Sequence, residues 1–406
     1  MAGHPLKDFD LLLFITVLLL SGIGILVIYS STQAAPEVGK RLYQRQLVWL
    51  SISLAFLVLF LTMPVKAFYA FAYLFYCLSI LLLLLPLLRG SGSFPAKRWI
   101  DFGALHFQPS EAAKLGTVFA LSRAVSSRSL SPSSGKHLAW PILMALLPLA
   151  LVLIEPDLGT SLVFAVIPLV LFYFKGISIL HLFFLLSPVL SVLFAFHWLS
   201  WTVFISMLVA LFYFFKVPLF QSLAVFLINS GVGAATPLVW GALKEYQRQR
   251  LLSFLNPHLD PRGSGWQVIQ SKIAIGSGGL LGRGIFQGTQ KKLAFLPRQH
   301  TDFAFSVIGE ELGMLGCVLV LALFFILVWR GMRLVKECKS PFSSLVVVSV
   351  VTIFSFHILL NTAMTLGMMP VTGVPLPFIS YGGSFLLVSL SMVGLLLNIG
   401  KNRYEY

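Results

Sequence analysis

Apolar runs of about twenty residues recur from Leu11 to Ile399, and they leave this chain few ways to fold. Backbone groups facing lipid must be hydrogen-bonded, so each run is either a helix or a strand of a closed barrel. The strand-length alternation of an outer-membrane barrel is absent. The chain therefore reads as an all-α polytopic integral membrane protein. Its 406 residues are 58% hydrophobic and 11% charged, more apolar surface than a soluble fold of that length could hide.

Twelve transmembrane helices are expected, at roughly 9–29, 46–62, 67–88, 110–125, 138–154, 159–175, 179–197, 199–216, 218–243, 303–330, 344–366 and 382–400. The fourth is short and carries Glu111, Lys114 and Ser122. Lys7, Asp8 and Asp10 precede the first span with no small-residue cleavage pattern, so that span is expected to stay as an anchor. The Lys/Arg of the short loops, above all Arg330 to Lys339, place the N-terminus in the cytoplasm. The formal net charge of +15 then points to anionic lipid headgroups or a phosphate-bearing substrate, and not to nucleic acid. Cys77, Cys317 and Cys338 are scattered singly and form no metal spacing.

On this topology the segment 244–302 is a large extracytoplasmic loop, and nine of the chain's Lys/Arg lie in it. Loops of this length are usually functional or disordered, and its aromatic and aliphatic residues argue against disorder. Trp266, Ile269 and Ile273 at helical spacing predict an interfacial helix over 264–275. The loop runs back into an apolar helix through His300, Thr301 and Asp302. A carboxylate at a membrane–water boundary behind so many cations suggests chemistry on an anionic, lipid-linked substrate.

Other polar segments reach the same side of the membrane. In Gln108 to Lys114, Pro109 and Ser110 fit a helix opening, and Glu111 and Lys114 share a face. Such a pair either fixes packing or lines a polar cavity. Asp157 either caps the helix that follows it or joins the same site as Arg98. Tyr246 to Arg250 is either a headgroup anchor or a diphosphate clamp through Arg248 or Arg250. The glycine-rich run 276–284 matches neither the dinucleotide nor the Walker pattern; it is either a turn or a backbone nest for diphosphate, aided by Lys272. Prolines and glycines in 367–384 forbid a regular helix, so that stretch is a plug or a cavity wall. Glu310, two helical turns beyond Asp302, is placed to share its face.

Four segments, 108–114, 156–160, 270–302 and 370–384, resemble those of the SEDS family (shape, elongation, division and sporulation proteins). The run from Gly288 to Phe303 is most similar to the family's elongation branch. The resemblance implies a peptidoglycan glycosyltransferase that polymerises lipid II on the outer face of the cytoplasmic membrane. It implies that Asp302 is the essential acid and that Glu111 and Lys114 line the same cavity. It also implies a class B penicillin-binding protein as partner, within a larger elongation complex. Gln270, Lys272, His300, Thr301 and Ser384 fall in the resembling segments and join the expected cavity with Arg98, Asp157, Arg248 and Arg250.

Three positions depart from the family pattern. Glu155 stands where Gln is common, Arg298 stands where an acid is common, and apolar sequence over 178–216 adds a helix pair to a core of ten spans. Lipid II is α-linked and its polymer β-1,4, so the chemistry inverts and one displacement suffices. Asp302 is the expected base, with Lys114, Arg248, Arg250, Lys272 or a divalent cation (Mg²⁺ or Mn²⁺) steadying the departing diphosphate. No metal ligand is assignable. A lipid II flippase and a non-catalytic scaffold are the rival readings.

Overall fold

The structure, a computed structural model, describes residues 9–32, 36–89, 98–102, 105–127, 135–243, 248–249, 252–254, 264–288 and 299–403. Arg250, Lys291, Lys292 and Arg298 lie outside the described residues. The helices are α1 (Leu11–Ser31), α2 (Pro36–Thr62), α3 (Val65–Ala70), α4 (Ala72–Arg89), α5 (Pro109–Ser126), α6 (Gly135–Ile154) and α7 (Leu158–Phe174). There follow α8 (Ile179–Phe194), α9 (Trp198–Phe214), α10 (Leu219–Ala242), α11 (Ser264–Gly278), α12 (Ala304–Glu337), α13 (Pro341–Thr365) and α14 (Gly383–Lys401).

Each of the twelve expected spans is occupied by a helix. Six (α1, α2, α10, α12, α13 and α14) are long and apolar enough to cross a bilayer, and α4, α6, α7, α8 and α9 are shorter apolar helices. The twelfth, α5, is polar for a span because it scarcely meets lipid: all but three of its 18 residues are buried. It sits at the centre with α13 and α14, while α2 and α10 face outward over most of their length. This is a multi-pass membrane protein whose innermost helices carry its polar groups.

One element was not legible as helix. Ile100–Phe102 (β1) and Leu105–Phe107 (β2) form a two-stranded antiparallel hairpin, with Asp101 opposite His106, that delivers the chain to α5. The all-α polytopic class holds, with this hairpin as a short connection within it.

Small residues and amides set the helix contacts, as expected where lipid gives no hydrophobic drive for association. Gly394 lets the α14 backbone meet the carbonyl of Leu57 on α2, and Gly24 of α1 lies against the backbone of Phe378 and Ile379. Asn398 Nδ2 donates to the carbonyls of Phe60 (2.7 Å) and Met63 (2.5 Å), closing the end of α2. A second, smaller core joins α8 and α9 through Phe184, Phe204, Leu208 and Phe212, with Val225 and Phe226 of α10 packed against it. Within it Asn229 Nδ2 donates to Ser187 Oγ at 2.8 Å and Trp201 Nε1 donates to Ser191 Oγ at 3.0 Å.

The glycine-rich run is a packing device. α12 is two helices meeting at Gly313, whose φ of +66° and ψ of −162° suit only glycine. Arg283 N and Gly284 N donate to the carbonyls of Glu310 and Glu311 at 3.0 and 3.1 Å, and Met314 N donates to Gly279 O at 2.9 Å. These amides are bonded to protein, so the nest reading fails here and the turn reading holds. Gly313→Ala should destabilise the protein by about 1–3 kcal/mol from backbone strain, with a clash against Gly282 besides. A lowered melting temperature in detergent is the expected result; an unchanged one would mean that the kink relaxes.

Candidate active site

The site is assembled around the non-helical stretch 367–382 between α13 and α14. Irregular backbone within a membrane bundle must be bonded to protein, and it is. Asn361 Nδ2 on α13 donates to Val374 O at 2.7 Å and to Asp302 O at 2.9 Å. Ser380 Oγ donates to Thr301 O at 2.6 Å, and Tyr381 N donates to His300 O at 2.8 Å. The stretch is thus stitched to the segment 300–302, and Val371, Val374, Leu376, Phe378 and Ile379 are buried beneath it. Asp302 is half-buried just ahead of α12, where the helix N-terminus favours negative charge. Beside it lies Gly373, with φ +73°; a methyl group there would lie 3.5 Å from Asp302 Oδ2. The stretch therefore lies against Asp302, as either reading of it requires.

The same wall touches the α6–α7 turn. Gly159 packs against Thr372 O and Val374. Asp157 Oδ1 accepts from Thr160 N at 3.2 Å, the capping role. Its Oδ2 accepts from Gln108 Nε2 at 3.1 Å and lies 3.6 Å from Arg98 Nη1. Gln108 N in turn donates to Ser384 Oγ at 3.2 Å, tying the start of α5 to the start of α14. Below this rim, Lys114 Nζ donates to both carboxylate oxygens of Glu111 at 2.9 Å and lies 3.2 Å from His357 Nε2. His357 Nδ1 lies 3.2 Å from Pro375 O, so the imidazole links the ion pair to the wall. The Phe385 ring covers both, its centroid 5.3 Å from the ammonium.

Asp302, Thr301, His300, Asp157, Arg98, Ser384, Glu111 and Lys114 are therefore brought together through one continuous set of contacts. Lys272 is exposed on α11 and lines a cavity of about 140 Å³ against Gly367, Pro370 and Val371 of the wall. Gln270 is buried on the same helix, which presses Val268 onto Phe303, Met364 and Val371. The expected helix is present as Ser264–Gly278, but the face that packs inward is Val268, Ser271 and Ala274, with Ile273 turned outward.

Three expectations change. Arg248 bonds Trp240 O and Gly241 O, closing the last turn of α10, because a guanidinium beside unsatisfied terminal carbonyls takes them first; it does not reach the cavity. Arg98 directs Nε to Glu155 O and Nη2 to Pro156 O, so it clamps the turn as well as facing Asp157. Glu310, expected on the face of Asp302, lies against Gly288, while Glu311 accepts from Ser30 Oγ at 2.5 Å. His357 and Asn361 were missed as site residues. Their signal was an imidazole and an amide four apart on one face of an apolar span.

Among the described residues, no three of His, Cys, Asp and Glu stand together as a ligand set.

Glu155 is the odd carboxyl of the rim. It is 1% exposed, and neither oxygen has a hydrogen-bond partner among the described residues. Burial, and then the charge of Asp157, push it up to about 8, against the pull of Arg98. The folded state therefore holds a proton that the unfolded chain releases above the ordinary value of 4.5, so stability is full below that value and is lost as pH rises through about 8. Glu155→Gln has no proton to lose. Its melting temperature should gain on wild type from about pH 5 to about pH 8.5; a constant difference would show that the carboxyl is already charged.

The profile of the FtsW/RodA/SpoVE family, described as "Cell cycle protein", matches residues 10–212 and 199–405. The chain belongs to this family. Among its relatives is the Escherichia coli K12 peptidoglycan glycosyltransferase MrdB, 34% identical over 93% of this chain and 90% of that one. The Treponema pallidum peptidoglycan glycosyltransferase RodA is 35% identical, covering 98% of each. Bacillus subtilis stage V sporulation protein E is 32% identical over 97% of this chain and 98% of its own. Solved FtsW/RodA/SpoVE structures share the fold. A chain described under the structural coordination of polymerization and crosslinking by a peptidoglycan synthase complex superposes with a TM-score of 0.72 at 33% identity, over 98% of this chain and 99% of that one. Thermus thermophilus RodA gives 0.66 at 26%, over 99% and 100%.

Proposed function

We infer that this protein is a peptidoglycan glycosyltransferase of the cytoplasmic membrane, polymerising lipid II into β-1,4 glycan at the extracytoplasmic face during cell-wall elongation. The observation that carries this reading is the half-buried Asp302, whose backbone carbonyl accepts from Asn361 and whose neighbour Thr301 accepts from Ser380, at a rim where Asp157, Gln108 and Ser384 converge. Relatives named peptidoglycan glycosyltransferases over more than nine-tenths of the chain supply the reaction class.

Asp302 takes the proton from the incoming 4-hydroxyl as it displaces the diphosphate of the donor, in one step and with inversion. Lys114 is 1% exposed and bonded on every side, so it holds the cavity's shape and field and leaves contact with the diphosphate to others. Lys272, exposed beside Gly367 and Pro370 of the wall, is the cation we assign to the leaving group. A class B penicillin-binding protein crosslinks the product, in keeping with the pairing of polymerization and crosslinking in the matched complex.

The test is purified protein in detergent supplied with lipid II. Glycan strands sensitive to a muramidase are expected. Translocation of labelled lipid II across vesicles without polymer would replace this reading with a flippase, and neither outcome would leave a scaffold. Repeating the assay with a chelator reads whether Mg²⁺ or Mn²⁺ takes part.

A further inference from the structure

A cavity outside the candidate site lies at the opposite end of the bundle. It holds about 910 Å³ between the end of α2, the short α3, the end of α5, the start of α13 and the end of α14. Its chemistry is one-sided. Lys66 and Lys401 line it together with hydroxyls that include Ser126 and Ser343, and the described lining holds no carboxylate. Its remaining surface is apolar, from Leu61 and Phe342 among others. Two further features add positive potential. The 25-residue α13 begins at this cavity, so the positive end of its dipole opens there. Arg123 behind the wall is held by the carbonyls of Tyr69 and Ala70 at 2.9 Å and stacks over the rings of Tyr69 and Tyr73, so its charge is fixed in place.

A free anion would need the ammonium groups but not the apolar floor. A neutral lipid would need the floor but not the charge. Both together, at the membrane boundary of a spanning bundle, match a ligand with a phosphate at one end and hydrocarbon at the other. We propose that this cavity is a binding site for an anionic phospholipid, whose phosphate lies between Lys66 and Lys401 and whose acyl chains run over Leu61 and Phe342. The assignment stands on this end of the molecule alone and is independent of the reaction proposed at Asp302.

The experiment is lipid retention by native mass spectrometry, with phosphatidylglycerol and phosphatidylcholine offered at equal mole fraction to the intact protein. For two lysines at a membrane surface, a preference for phosphatidylglycerol of roughly tenfold or more is expected. Lys66→Gln with Lys401→Gln should abolish the preference. Ser127→Trp, which keeps the lysines but fills the cavity mouth, should abolish retention of the tight lipid while leaving the melting temperature in detergent unchanged. The control pair Lys336→Gln and Lys339→Gln, at the same end but outside the cavity, should leave the preference intact. Equal retention of the two lipids by wild type overturns the site, as does an equal loss in the control pair. Inorganic phosphate binding as strongly as the lipid, and lost in the same double variant, overturns the lipid and assigns a soluble anion instead.

Discussion

Asp302→Asn should lose about 10²–10⁴-fold in polymerisation rate, equivalent to about 3–5 kcal/mol of barrier, while the protein folds and binds lipid II as before. The substitution keeps the shape and removes only the charge and the basicity. What fixes the residue is its backbone carbonyl, which accepts from Asn361 and is the same in either variant. The loss should therefore fall on kcat, with KM nearly unchanged, the pattern of an interaction made only in the transition state. Asp302→Glu probes position. The longer side chain shifts the carboxylate, and a displacement of about 1 Å can by itself lose about 10²-fold. Wild-type rates in Asp302→Asn would end the catalytic assignment, and a collapse of KM alone would make the residue a binding group.

The sequence made the spans legible because the bilayer demands them. Where the prediction faltered, the partner was another part of the chain. α5 reads poorly as a span because Glu111 and Lys114 interrupt it, yet this polarity is what marks it as the central helix, since only protein can surround such a pair. The wall 367–382 was legible from its prolines and glycines. That it is stitched to 300–302 was not, because Ser380 and Tyr381 find backbone carbonyls eighty residues upstream. Arg98 and Arg248 show the same limit. In one dimension Arg248 reads as a diphosphate clamp and Arg98 as a cavity residue, and each is bonded in the fold to carbonyls of a turn or a helix end. The glycines at 278–284 await Gly313, some thirty residues on, and nothing local announces that pairing. The small hairpin before α5 is too short to leave a periodic trace.

Glu111 and Lys114 admit two readings, packing or function, and their variants separate them. The ammonium is 1% exposed and its hydrogen bonds go to the two oxygens of Glu111 and to His357. Glu111→Ala strands a buried cation with an imidazole as its remaining partner; Lys114→Ala strands a buried carboxylate. Either should destabilise the fold by about 3–5 kcal/mol, the usual effect of breaking one side of a desolvated pair. Glu111→Leu combined with Lys114→Met removes both charges and keeps the volume, and should recover most of that loss, since apolar replacement of a buried pair is often neutral or stabilising. The double-mutant cycle in detergent melting should thus show a large coupling. Activity then decides. If the pair only packs helices, the double variant polymerises as wild type does. If the cavity needs the pair to hold His357 and, through Pro375, the wall beside Asp302, the double variant is folded and inactive. We expect the second result, because the imidazole that receives Lys114 is the same group that grips the wall, and an apolar residue at position 114 leaves that ring with nothing to orient it.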